Sequence, residues 1–225
     1  MSPDPTASLD QRRRQALQTV LDLLAEERAS VSSVVDERAW KVHVADSLTG
    51  LEVAELAAAG RIADVGAGAG FPGLALAVAL PEATVDLIES VSRKCGFLRR
   101  AIDSAGIANA EVVCDRSEEW SAGEGREAYD AVAARAVGSL STLAELASPL
   151  LREGGVLVAW KGGRDREEES RLAAAAAALA MRPERVLAVV PYPGSRDRHL
   201  HLLRKAAPTP ESLPRRPGMA AKRPR

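Results

Sequence analysis

The residues best suited to chemistry are Asp64-Val65-Gly66-Ala67-Gly68-Ala69-Gly70-Phe71-Pro72-Gly73, a glycine-rich run entered from a short apolar stretch and left through a helix opening at about Pro72. Glycine permits positive φ and removes the Cβ atoms that would hold a ligand off the backbone. The unpaired N–H groups of a helix start attract a carboxylate or phosphate. Proline fits the first helical turn because its missing donor is not needed there. The run is therefore a ligand loop at the C-terminal end of a strand, and two ligand classes compete for it. Gly68, Gly70 and Gly73 satisfy the dinucleotide pattern G-x-G-x-x-G. Asp64, two residues ahead of the alternating Gly66, Gly68 and Gly70, together with the large Phe71, favours S-adenosylmethionine.

Glu89 follows Asp64 by 25 residues and ends the second apolar run. An acidic side chain there accepts hydrogen bonds from both ribose hydroxyls of an adenosyl group, and NAD uses the same position. Cys114-Asp115-Arg116-Ser117-Glu118 closes the third run, with polar side chains and loop N–H groups suited to reading an adenine ring. Arg135 ends the fourth run, on the sheet edge that carries the glycine loop. Its guanidinium suits a cofactor carboxylate, or a nucleotide through O6 or phosphate, so Arg135 is the candidate catalytic residue. Lys161, ending the fifth run, and Arg198, near the last strands, are candidate RNA phosphate contacts or plain surface charge. His43 and Asp46, three residues apart on a helix, can touch, but with no third ligand nearby no metal site is expected. His199 and His201 share a strand face and read as packed side chains.

The elements that must position these groups follow from periodicity. From Leu9 to Arg28, Leu17, Val20, Leu21 and Leu24 mark one face of an amphipathic helix. A second helix follows Asp36 as its cap, with Trp40, Val44, Leu48 and Leu51 recurring at intervals of three and four. After Gly60 short apolar runs alternate with helical segments: Ile62 to Val65, Thr84 to Ile88, Glu111 to Cys114, Tyr129 to Ala133 and Val156 to Trp160. An Ala-rich helix over Arg166 to Met181 precedes two final strands, Val186 to Val190 and His199 to Leu203. Such alternation implies an α/β fold, a Rossmann-like, mostly parallel seven-stranded sheet flanked by helices. The expected organisation is an N-terminal helical extension over 1–60, a cofactor-binding domain over 61–205, and a disordered basic tail over 206–225, rich in Pro and Arg.

A hydrophobic share of 46%, a charged share of 27% and a net charge of −1 describe an ordinary globular chain. No apolar run is long enough to span a bilayer and the N-terminus lacks the pattern of a signal peptide, so a cytoplasmic protein with no membrane partner is expected. Cys95 and Cys114 lie far apart and outside any CxxC pattern, which argues for reduced, structural thiols.

Further segments carry a resemblance: His43-Val44-Ala45-Asp46-Ser47-Leu48, Arg116-Ser117-Glu118-Glu119, Arg135-Ala136-Val137, Trp160-Lys161-Gly162-Gly163 and Arg198-His199-Leu200. With the Asp64 to Gly73 loop, they resemble the bacterial 16S rRNA guanine-N7 methyltransferases once named glucose-inhibited division protein B, over roughly residues 35 to 205. The resemblance implies a class I methyltransferase fold, S-adenosylmethionine as cofactor, and 16S rRNA or the small ribosomal subunit as substrate, with the protein acting as a monomer. It also implies cofactor contacts at Gly66, Phe71, Ser117, Glu118 and Arg135. Glu89 stands where the family usually has Asp, and Val31-Ser32-Ser33-Val34 replaces an Asn-Leu-Thr-like segment. Three rivals remain. An NAD-dependent oxidoreductase needs a proton donor that Tyr129 and Tyr192 are badly placed to be. An inactive RNA-binding assembly factor would not keep the loop intact. Methylation of a small molecule or protein is opposed by the resemblance alone.

Overall fold

The computed structural model describes residues 4–27, 32 and 34–225; Arg28, Val31 and Ser33 of the segments above lie outside them. Helix α1 spans Gln11–Glu26, begins where Asp10 accepts the Arg13 N–H at 2.8 Å, and buries the expected Leu17, Val20, Leu21 and Leu24. The second helical stretch differs from expectation at its start. Asp36 accepts the Arg38 N–H at 3.0 Å in a local turn, and helix begins only at Trp40, without a side-chain cap. The stretch runs as a π-helical segment, Trp40–Ala45, then α2 (Asp46–Leu48), a 3-10 turn (Thr49–Glu52) and α3 (Ala54–Ala57). A wide π turn re-aims the side chains that follow it. Here those include Asp46.

Strands and helices then alternate: β1 (Arg61–Val65), α4 (Gly73–Ala79), β2 (Thr84–Ile88), α5 (Ser92–Ala105), β3 (Ala110–Val113), α6 (Ser117–Trp120), β4 (Tyr129–Arg135), α7 (Leu140–Ala147), β5 (Leu151–Lys161), α8 (Arg166–Ala175), β6 (Met181–Ala188) and β7 (His199–Lys205). They form one seven-stranded sheet in the order β3-β2-β1-β4-β5-β7-β6. Neighbours are parallel except around β7, which runs antiparallel to both β5 and β6. The order reverses between β1 and β4. In open α/β sheets the crevice outside the strand ends at such a switch point is where ligands bind.

The strands bury both faces, as parallel strands do. Ile62, Ala131, Val156, Val158 and Trp160 pack with α1, α2, α4 and α5, so the helical extension shares one core with the sheet. Ala63, Val132, Leu157 and Ala159 point the other way, toward α7 and α8.

Three further expectations fail. The Ala-rich helix stops at Ala175, because a 3-10 turn and the left-handed Ala180 (φ 52°) reverse the chain and Met181 already pairs with Lys205. Cys95 and Cys114 form a disulfide with Cα atoms 5.8 Å apart. Their separation of 19 residues conceals that the α5–β3 crossover returns the end of β3 beside the first turn of α5. Residues 206–225 are docked, not disordered: Leu213 and Ala220 are buried, Arg215 pairs with the carboxylate of buried Glu145, and a short α9 spans Met219–Lys222. Low hydropathy did not prevent this, because carboxylates on the domain, the buried Glu145 and the half-buried Glu118, supply partners for the tail.

Candidate functional site

The glycine loop leaves β1 at the switch point and is sewn to the end of β2: the N–H groups of Gly66 and Ala67 both donate to Ile88 O, at 2.9 and 3.1 Å. Asp64 is fully buried beneath it and accepts the Gly73 N–H at 2.7 Å, joining the strand end to the start of α4. Its second oxygen, Oδ1, is buried without a hydrogen-bond partner. Burial pushes the Asp64 carboxyl up to about 7, against the opposing pull of the Gly73 N–H and the Arg135 charge. Asp64 therefore shapes the loop from below. Gly70 N donates to Ala67 O at 2.7 Å to close the turn, and the ring of Phe71 stacks on His43 with centroids 5.1 Å apart.

Two of the glycines are required for different reasons. Gly66 has φ +70° and a Cβ there would meet Val137 Cγ2 at 2.7 Å, so it lets the β4–α7 loop approach. Gly68 has φ +56°, yet the nearest atom to its Cβ position is Gly66 O at 3.6 Å. Gly68 thus leaves room for something other than protein. Its N–H donates to Glu89 Oε2 at 3.0 Å, and Glu89 Oε1 accepts from Val91 N at 2.8 Å.

Gly66, Glu89, Ser117 and Glu118 line one cleft of about 190 Å³, together with Val137. Its chemistry fits an adenosyl group: an acidic acceptor at the end of β2, apolar walls at Val65, Ile88 and Leu146, and polar groups at the end of β3. Glu118 Oε1 is occupied by the Gly218 N–H at 2.7 Å, and Ser117 Oγ lies 3.3 Å from Glu118 Oε2. Sequence reasoning missed the residues that close this cleft, Thr142, Gly218, Ala220 and Ala221. None belongs to a motif.

Arg135, Lys161 and Arg198 meet at a second cleft of about 220 Å³, with Asp46, Trp160 and His199. Asp46 organises it. Its Oδ2 accepts from Arg135 Nη1 at 2.9 Å, its Oδ1 lies 3.8 Å from Arg198 Nε, and its carbonyl accepts the Trp160 Nε1–H at 2.9 Å. Arg135 Nη1 also donates to Val42 O at 3.1 Å, and Nη2 lies 3.5 Å from His43 Nδ1. Burial pushes the His43 pKa below its ordinary value, which keeps the ring neutral at pH 7. Lys161 is committed to Glu168 at 2.8 Å and Gly138 O at 3.2 Å. Arg198 keeps 38% of its side chain exposed. His199 reaches this cleft and bonds Gly162 O through Nδ1 at 2.9 Å, whereas His201 is buried. The motif around His43 carried Asp46, but not its role as a bridge between arginines. The clefts meet at one loop: Ala136 and Gly138 line the arginine cleft, and Val137 lines the other.

Residues 13–200 match the family described as rRNA small subunit methyltransferase G, GidB. The chain belongs to this family. It is 46% identical to the ribosomal RNA small subunit methyltransferase G of Rubrobacter xylanophilus over 81% of this chain and 71% of that protein. With the protein of the same name from Pelotomaculum thermopropionicum it shares 40% identity over 87% and 82% of the two chains. The Staphylococcus carnosus protein is 34% identical over 96% and 92%. Among solved structures, cofactor-bound Rv0187 from MTB matches with a TM-score of 0.55 at 18% identity, over 92% of this chain and 99% of that one. Aeropyrum pernix fibrillarin, with natively bound S-adenosyl-L-methionine, matches with a TM-score of 0.55 at 17% identity over 71% and 72%. These likenesses establish the class I methyltransferase fold. The chain is thus a small-subunit rRNA methyltransferase, and the oxidoreductase reading of Gly68, Gly70 and Gly73 falls. Among the described residues no helix is long and apolar enough to cross a membrane.

Proposed function

We propose that the protein transfers a methyl group from S-adenosyl-L-methionine to N7 of a guanine in 16S rRNA, as a monomer in the cytoplasm. The observation that carries this reading is the pair of adjoining clefts: one with an acidic, partly apolar lining fit for adenosine, the other lined by Arg135, Lys161 and Arg198 and fit for a nucleotide. When bound, S-adenosylmethionine supplies an electrophilic methyl group on a sulfonium. Guanine N7 carries an in-plane lone pair, so no proton has to leave before attack and no general base is needed. What the chain must supply is proximity and alignment.

Glu89 receives the ribose hydroxyls in this reading, exchanging its bond to Gly68 N for theirs. Arg135 is the catalytic candidate because Asp46 and Val42 O hold its guanidinium in one pose beside the loop joining the clefts. A donor on N7 would occupy the attacking lone pair, so Arg135 serves transfer by addressing guanine O6, which fixes the base without quenching it. Arg198 contacts phosphate ahead of Lys161, whose charge is balanced by Glu168. Asp64, Gly66, Gly68, Gly70 and Phe71 form the cofactor loop, with Ser117 and Glu118 at its adenine end.

The decisive experiment offers labelled S-adenosylmethionine with 30S subunits and naked 16S rRNA from a strain lacking this modification, then maps the labelled base. N7-methylguanine in the RNA is the expected product. Label on another base or another guanine atom would overturn the N7 assignment, and label on neither RNA would overturn the substrate.

A further inference from the structure

We infer that the C-terminal segment is the outer wall of the adenosyl cleft, and that Glu118 acts on the cofactor through this strap, as a positioning residue. The inference rests on the cofactor reading above and goes beyond it, because the segment lies past residue 200, outside the residues that match the family's model.

The segment is tied to the domain along its length. Buried Lys205 donates to Ser148 Oγ at 3.0 Å and to Thr209 Oγ1 at 2.7 Å, and Thr209 donates to Glu127 Oε1 through its backbone at 2.8 Å. Leu213 is 3% exposed and packs in the apolar layer beneath α7. Arg215 grips both carboxylate oxygens of Glu145, itself 3% exposed, and its Nη2 donates to Arg223 O at 2.9 Å. A buried carboxylate is costly unless paired, so Glu145 supplies a strong reason for Arg215 to dock. Beyond these anchors the chain arrives at the cleft. Gly218 N donates to Glu118 Oε1 at 2.7 Å, Thr142 Oγ1 donates to Ala220 O at 3.1 Å, and Gly218, Ala220 and Ala221 line the cavity.

Two consequences follow for ligand binding. A wall of small residues bounds the adenosyl end without filling it. The Gly218 N–H also takes one oxygen of the carboxylate that a bare family motif would assign to the ligand. Glu118 then holds the wall in place.

The test measures calorimetric affinity for S-adenosylhomocysteine with the intact chain, a chain shortened after Arg216, Glu118→Ala, and both changes together. Shortening there keeps Leu213 and the Arg215–Glu145 pair. Both single changes are expected to weaken binding about tenfold, and the combination no further, because the carboxylate acts through the strap. Glu118→Gln, which keeps an acceptor for Gly218 N, should restore affinity. Amide exchange at 218–221 in the intact protein should slow on adding S-adenosylhomocysteine, a readout independent of any change in folding. Affinity within about twofold of intact after shortening, tighter binding, or unchanged exchange would overturn the strap. Additive losses would overturn the role of Glu118. Failure of the intact chain to bind S-adenosylhomocysteine at all would overturn the cofactor reading, and this inference with it.

Discussion

The two clefts lie side by side at one sheet edge yet are built from different materials. The cleft proposed for adenosine depends on backbone geometry, with Gly66 in its wall and the loop sewn to β2 by N–H groups donating to Ile88 O. The arginine cleft is side-chain charge, with Asp46 between Arg135 and Arg198 and the Trp160 indole under its carbonyl. Backbone geometry tolerates most substitutions in its surroundings but fails when a Cβ enters the wrong space. A charge network fails when its central partner is removed or stripped, here the mostly buried Asp46 and its close pair Arg135. The first cleft should therefore respond to mutation as an affinity site and the second as a turnover site.

The largest effect is expected from Gly68→Asp. Aspartate tolerates the left-handed region, so the fold should survive with a cost of about 1 kcal/mol. The new carboxylate would add negative charge next to Glu89, which accepts the Gly68 N–H, and calorimetry should find S-adenosylhomocysteine binding weakened at least about a hundredfold. Near-normal affinity in a folded variant would remove the loop from the cofactor site.

Arg135→Ala should lower kcat about a hundredfold while cofactor affinity moves by no more than about threefold, since a small loss of alignment is enough to slow transfer. A fall in affinity with kcat intact would break the division between the clefts and move Arg135 to the cofactor.

A subtler change is expected at Asp64, which lies under the loop and belongs to neither lining. Its carboxyl titrates at about 7 when folded, against 3.8 ordinarily. Between those values the folded state keeps a proton that the unfolded state has lost, so stability falls as pH rises from about 4 to about 7 and is flat above. Asp64→Asn keeps an acceptor for the Gly73 N–H and removes the ionisation. Unfolding free energies from urea titration of the two chains should diverge as pH rises from about 4, by about 4 kcal/mol in favour of Asn at pH 8. Parallel curves would show that the buried carboxyl does not titrate in this window.

The glycine loop, Glu89 and the alternation of strands and helices were legible because local chemistry dictates them: a positive φ, an acidic strand end and apolar periodicity are written in neighbouring residues. Three features were not. Asp46 lies 89 residues from Arg135, and only the packing of the helical extension on the strand ends brings them together. The Cys95–Cys114 pair depends on how far the α5–β3 crossover doubles back. The tail looked disordered because its composition is polar and Pro-rich, but composition does not record that Glu145 and Glu118 wait on the domain as partners.

The sequence by itself determined the α/β order, the glycine-rich turn after β1 and the family, because each rests on short-range pattern. The tertiary structure decided which charges share a cleft, that the cysteines pair, and that the chain's last residues line the cleft beside the glycine loop. Those outcomes depend on groups meeting partners far along the chain, and only the completed fold sets those distances.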